Sequence, residues 1–377
     1  MRRWNGWGDE SVGMALPASA RAMLEESLGP GTPRESCALS KVISRVPRSR
    51  LPASAPADTD AEVRIRHARG HSLPDWIELR SGRISTFPDG VAFPETERDL
   101  SDLFHFADRS GAVLIPCGGG TGVVGQINPP DLERPAITVS LSRMRDLLEL
   151  DETSGLATFG AGVTGPELEA TLARRGLTLG HFPQSFEYST LGGWVATRSS
   201  GQQSLGYGRM EDLFRGGLLH TPEGPLDLPP HPASAAGPDL RHLVLGSEGR
   251  MGILSRATVQ VRSLPRVERF HGLFLPHWDA ALDAVRTLVR EAVPLSMIRL
   301  SNAQETRSQL ALSGKEGLVR YLRKYLRWKG IDPDSACMLL LGFTGSASGV
   351  RRTKREAISF LKRRHRAAHL HRMLGSS

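Results

Sequence analysis

The stretch Ile115–Gln126 constrains this chain more than any other, reading I-P-C-G-G-G-T-G-V-V-G-Q. Gly118, Gly119, Gly120 and Gly122 leave the main chain almost bare there. Glycine tolerates φ > 0 and lets a ligand come close to the backbone. Ala112-Val113-Leu114-Ile115, just before it, has the apolar run of a buried strand. A bare loop at a strand end turns its N–H groups into a concave donor surface suited to a pyrophosphate. The alternative is a flexible surface turn, which rarely needs so many glycines straight after a buried strand. Gly120-Thr121-Gly122-Val123-Val124-Gly125 also fits G-x-G-x-x-G, but that fingerprint must open a long helix. Asn128-Pro129-Pro130 follows almost at once, paired prolines stop a helix, and no P-loop lysine follows. The loop itself, rather than a helix dipole, is expected to make the cradle.

Composition narrows the function classes. A chain of 377 residues has ample core for two or three domains. Lys+Arg 48 against Asp+Glu 40 gives a formal charge of +8, spread out until the basic run Arg351–Arg372. No nucleic-acid motif accompanies that run, so it reads as a solvated helix face and no nucleic-acid partner is expected. Cys37, Cys117 and Cys337 are far apart and make neither a metal spacing nor a disulfide framework, which fits a reducing compartment. The N-terminus lacks the apolar core of a secretory signal, and no apolar run is long enough to span a bilayer. The expected location is cytoplasmic.

Residues 1–82 read as an irregular N-terminal arm, rich in Pro, Ala, Ser and Arg, with one helix over Ala15–Leu28. A strand at Val91 and a helix over Glu97–Ser110 lead into the glycine loop, and Ala136–Leu141 is a β-rich strand. Leu147–Asp151 and Leu156–Val163 read as a hairpin around Thr153-Ser154-Gly155. The block from Gly180 to Asp212 is dominated by small and hydroxyl residues, with a short helix over Leu191–Arg198 capped by Ser189 or Thr190. After Gly246-Ser247-Glu248-Gly249 comes an alternating strand, Ile253–Val261. Beyond Pro265, strands at Phe270–Leu275, Leu295–Leu300 and Ala336–Phe343 alternate with helices at Trp278–Ala292, Lys315–Trp328 and from Ser348. That alternation predicts a separate α/β layer that ends on the basic helix with no closing strand.

These blocks together resemble the flavoproteins with a PCMH-type (vanillyl-alcohol-oxidase-like) FAD domain, and within them the alkyldihydroxyacetonephosphate synthase branch. Pro116, Cys117, Gly118, Gly119, Gly120, Thr121 and Gly122 correspond to that family's pyrophosphate loop. Pro183, Gln184, Ser185, Phe186, Glu187, Tyr188 and Ser189, with Ala196, Thr197, Arg198 and Ser199, fall where the family wraps its flavin. Glu248, Gly249, Arg250, Met251, Gly252, Ile253 and Leu254 match the E-G-x-x-G-x-x segment near the isoalloxazine ring. Trp4-Asn5-Gly6-Trp7-Gly8 is similar to the start of the synthases. The resemblance implies an α+β fold: a two-lobed FAD-binding domain over 83–264, then a partial cap or substrate domain over 265–377. It implies non-covalent FAD, since no histidine lies in the glycine loop, and a small-molecule substrate bearing a phosphate or carboxylate. Ser296-Met297-Ile298-Arg299-Leu300 is similar to a cap segment whose arginine faces the active site, so Arg299 is the residue implied to meet the substrate.

The implied reaction exchanges the acyl chain of acyl-dihydroxyacetone phosphate for a fatty alcohol. FAD-dependent oxidation of a 2-hydroxy acid, or flavin binding without turnover, stays open beside it. The family's chain continues beyond this one, with an acid/base tyrosine and a histidine cluster, so the cap is expected to be incomplete as given. His365 and His369 lie one helical turn apart near His371, but without the glutamate of H-E-x-x-H no zinc site is expected. The basic amphipathic helix over Lys315–Trp328 leaves peripheral membrane contact open, although packing on the sheet is the commoner use of such a face. A homodimer stays open as well.

Overall fold

The computed structural model describes residues 1–32, 34–232 and 235–370. Two compact units emerge. One is Met1–Val12, Arg34–Gln202 and Gly208–Leu264; the other takes the described residues of Gly13–Pro33, Gln203–Tyr207 and Pro265–Ser377.

In the first unit, Ala136–Ser140 is buried at every position and forms the centre of a three-stranded parallel sheet, between Gly90–Ala92 and Val113–Cys117. Helix Glu97–Ser110 carries the chain from one outer strand to the other, across the central one. Thr96 and Asp99 form a capping box at its start, and Gly111 at φ 68° ends it in the left-handed region. Cys117 lies opposite Ser140 at the last register position, so the glycine loop leaves from the carboxyl edge of this sheet. That edge is where open α/β sheets bind ligands. A second sheet has five antiparallel strands in the order Leu147–Asp151, Leu156–Gly160, Ile253–Gln260, Phe214–Thr221 and Gly224–Leu228. One core joins the two sheets through Ile137, Val139, Phe159, Trp194, Phe214 and Val259. Burying each of these large side chains is worth roughly 1.5–3 kcal/mol.

The region before residue 83 is more ordered than an irregular arm. Leu39–Ile43, Ala61–Arg66 and Leu73–Ser81 are helices, the last with a Ser72–Asp75 capping box and Gly82 at φ 68°. Buried charge fixes the connections between them. Asp89 receives Arg50 Nε at 2.9 Å and Nη2 at 2.7 Å, and the Ala136 amide at 2.8 Å. Arg69 reaches Glu78, Ser85 and the Thr86 carbonyl at 2.7–2.9 Å. Side-chain hydrogen bonds of this kind leave no periodic trace, which is why a Pro- and Arg-rich composition conceals the order.

The second unit is built on an antiparallel sheet in the order Met297–Ser301, Cys337–Gly345, Val267–Leu275, Ala368–Leu370. Successive side chains of a strand face opposite ways. Leu273 and Leu275 accordingly join one core with Leu288 and Leu361 of helices Trp278–Arg290 and Ala347–His365. Phe274 joins another with Leu322 and Leu326 of helix Glu316–Trp328, which therefore packs on the sheet. Helix Ala303–Leu312, capped by Asn302, lies in the same unit, where Ser19 of helix Ala18–Leu28 donates to the Ala311 carbonyl at 2.6 Å. Two expectations change here. The basic helix is followed by a closing strand after all, Ala368–Leu370, paired with Gly272–Phe274. Three residues are too few to show a period. His365 and His369 are not on one helix, because Arg366 at φ 53° ends it between them. His369 instead contacts buried His271 at 3.2 Å, and His371 lies outside the described residues.

Candidate cofactor-binding site

The glycine loop, the 183–199 segment and the 247–254 segment meet around one cavity of about 280 Å³ in the first unit. The glycines are there largely because the segments interlock. A Cβ on Gly118 would sit 2.2 Å from Thr190 Oγ1, and one on Gly119 would sit 1.7 Å from the Tyr188 carbonyl oxygen. Gly120 needs its positive φ of 67°. The loop's carbonyls are tied back into the protein: Gly119 O accepts from Arg2 Nη1 at 2.7 Å and Gly122 O from the His71 amide at 2.7 Å. Among the described residues, the amides of Gly118, Gly119, Thr121 and Gly122 donate to no protein acceptor. Carbonyls held inward and donors left open make a surface that an oxyanion satisfies.

The other two segments are stitched together by backbone. Glu248 N donates to Ala196 O at 2.8 Å and Gly246 N to Val195 O at 3.2 Å. Arg198 at φ 50° and Glu248 at φ 54° sit in the left-handed region without being glycine. Such backbone costs about 1–3 kcal/mol and clusters at ligand sites. Helix Leu191–Ala196 is capped by Thr190, whose Oγ1 accepts from Gly193 N at 3.3 Å. Trp194 Nε1 donates to Ser189 Oγ at 2.7 Å, and His181 Nε2 lies 2.6 Å from Ser199 Oγ.

The polar groups around the cavity are tuned by burial. Glu248 lines it with Oε2 unpaired, and burial raises its carboxyl pKa, partly offset by a hydrogen bond with Gln126. Gln126 Oε1 is unpaired in the same place. Burial pushes the Cys117 thiol up to about 11, so it is neutral near pH 7. Burial lowers His181 to about 4. Burial, with the Arg2 charge second, lowers His71 to about 4 as well.

All seven expected loop residues from Pro116 to Gly122 line the cavity, with Pro183, Ser185, Ser189, Ala196, Thr197, Ser199, Glu248, Gly249, Gly252 and Leu254. The remaining expected residues lie elsewhere. Gln184, Glu187, Arg250 and Met251 are exposed. Phe186 meets Phe182 in a tilted ring contact at 5.3 Å, Arg198 pairs with Glu211, and Ile253 is buried in the core. Tyr188 lends its carbonyl to the contact with Gly119 and its ring to Arg2. Arg299 belongs to the second unit, in strand Met297–Ser301, where its Nη2 is 3.1 Å from Glu305 Oε1. Sequence reasoning missed Gln126, Thr190 and Trp194 on the lining, and Arg2, His71 and His181 behind it. Only the W-N-G-W-G run pointed near Arg2.

Comparison with known proteins agrees with this geometry. A family model described as FAD binding domain matches residues 88–226, and one described as FAD linked oxidases, C-terminal domain, matches 264–373. The chain belongs to the FAD-binding flavoproteins of the PCMH type, and FAD is its cofactor. The particular members it is similar to are alkyldihydroxyacetonephosphate synthases. That of Dictyostelium discoideum is 36% identical over 292 residues, 76% of this chain and 48% of the relative. That of Trypanosoma brucei brucei is 34% identical, again over 76% of this chain and 48% of the relative. A solved alkyldihydroxyacetonephosphate synthase structure superposes with a TM-score of 0.86 at 31% identity, covering 99% of this chain and 74% of that one. The chain thus spans about half the length of the curated relatives it matches.

Proposed function

We propose that this chain acts in FAD-dependent alkylglycerone-phosphate synthesis, exchanging the acyl chain of acyl-dihydroxyacetone phosphate for a fatty alcohol. The observation that carries the reading is the 36% identity to a synthase over 76% of the chain, on a unit whose glycine loop offers open amides. In this reading the amides of Gly118, Gly119, Thr121 and Gly122 receive the pyrophosphate of FAD. Glu248 and Gln126, each with an unpaired buried oxygen, orient a polar edge of the cofactor. The buried Trp194 and Leu254 exclude water from the cavity. When bound, FAD supplies an electrophilic N5 position, and the protein supplies orientation and electrostatics. Arg299 is proposed to hold the substrate's phosphate, for which its planar guanidinium suits two oxygens at once. It would exchange its present partner Glu305 for that anion.

The test is a side-by-side assay on the purified, FAD-loaded chain. Incorporation of labelled fatty alcohol into alkyl-dihydroxyacetone phosphate supports the reading. Dye reduction driven by a 2-hydroxy acid, without alcohol incorporation, overturns it.

A further inference from the structure

Among the described residues Arg2 is a cation without a counter-ion. Its Nη1 donates to the Gly119 carbonyl at 2.7 Å, its guanidinium lies 4.6 Å over the Tyr188 ring, and Nη2 is 3.5 Å from His71 Nε2. Trp7 closes the nest with edge contacts to His71 at 5.3 Å and Tyr188 at 4.9 Å. Among the described residues no carboxylate pairs with Arg2, whereas buried Arg69 has Glu78 at 2.8 Å. His71 offers no negative charge. Arg2 is partly buried, and taking a guanidinium even part-way out of water without a counter-ion costs free energy that a nearby anion would offset. Among the described residues, the peptide carbonyl this cation grips is that of the glycine loop, on a stretch whose amides of Gly118, Gly119, Thr121 and Gly122 stand open.

We propose that Arg2 is the electrostatic base of the pyrophosphate cradle: its fixed charge, held by Tyr188, His71 and Trp7, pairs through the glycine loop with the diphosphate of the cofactor. The N-terminal W-N-G-W-G segment is then part of the binding machinery. Arg2 is a positioning residue in two senses. It holds the Gly119 carbonyl inward, and it adds a full positive charge one residue away from the open donors. Partial burial screens that charge less than a surface charge, so its effect reaches a nearby phosphate. The inference rests on FAD binding and not on which reaction follows.

The experiment uses the full chain stripped of flavin. Dissociation constants are measured for FAD directly, and for ADP and adenosine by competition with FAD. Natural protein, Arg2→Gln and Arg2→Lys are compared, with the melting temperature of each apo form. Arg2→Gln is expected to weaken FAD and ADP about tenfold or more while leaving adenosine within about twofold. Arg2→Lys, which keeps the charge but loses the fork and the stacking, is expected to retain most of the preference for ADP over adenosine. Equal weakening of ADP and adenosine by Arg2→Gln would make Arg2 a mere prop of the loop and overturn the proposal, as would unchanged FAD binding. If Arg2→Gln does not fold, Arg2→Lys decides: a tenfold fall in the ADP-over-adenosine ratio with charge kept overturns it, and a ratio kept within about threefold supports it.

Discussion

Replacing Gly119 with alanine places a Cβ 1.7 Å from the Tyr188 carbonyl oxygen, 2.7 Å from the carbonyl carbon and 2.9 Å from Ser189 Cα. All three are backbone atoms, so no side-chain rotation relieves the clash. The loop and the 188–190 segment have to part, and overpacking of this kind costs about 1–3 kcal/mol of stability. Both segments line the cavity, and a displacement of about 1 Å in positioned groups is enough to lose about a hundredfold. Gly119→Ala is therefore expected to weaken FAD about a hundredfold, roughly 2.7 kcal/mol. Gly111→Ala is the control. It has φ +68° with nothing within 4 Å of its Cβ, so it should cost about 1 kcal/mol of stability and leave FAD affinity unchanged. The assay is flavin fluorescence titration paired with thermal melting of both apo variants. Wild-type FAD affinity in Gly119→Ala would refute the interlocking of the two segments.

Three further outcomes follow from charge. Glu248 has a carboxyl pKa raised by burial, so its contribution to stability is present at low pH and lost as pH rises through the raised value. Glu248→Gln is therefore expected to raise the apo melting temperature at pH 7, with the difference vanishing below the ordinary carboxylate range, by melts across pH. His71 and His181 are lowered to about 4, so stability present above the ordinary histidine value falls as pH drops from about 6.5 toward 4, by at most about 1.4 kcal/mol per pH unit for each. Chemical denaturation of His181→Gln should show a shallower fall over that window. Arg299→Lys is expected to keep FAD and to change stability by less than about 0.5 kcal/mol, since the Arg299–Glu305 pair is half exposed; under the proposed function, and in a version extended to full family length, it is expected to lose most turnover in the alcohol-incorporation assay.

The glycine loop was readable because glycine is informative wherever it clusters after a strand. The reason for two of its members was not. Gly118 and Gly119 are glycine because Thr190 and Tyr188 pack against them, a contact across about seventy residues of sequence that no local pattern shows. The strand Phe214–Thr221 was unread for a related cause. Gly216 and Gly217 interrupt its apolar run, and a Cβ on them would meet Leu228 O at 2.2 Å and Arg256 O at 2.3 Å. Glycine inside a strand marks such close approach as often as a turn. Helix Glu97–Ser110 was legible from the helical spacing of Leu100, Leu103, Phe104 and Ala107. Helix Ala303–Leu312 was not, having only Thr306 fully buried and so no apolar stripe. Arg2, His71 and His181 carry no motif of their own, and their roles exist only once the chain is folded.

The central claim is that the first unit holds FAD non-covalently on the glycine loop. Its most direct test is the visible spectrum of the purified chain after loading with FAD, before and after acid precipitation. The account predicts a yellow protein with flavin bound one to one, all of it released as FAD into the supernatant. A protein that takes up no flavin, or a pellet that keeps its colour, would contradict it.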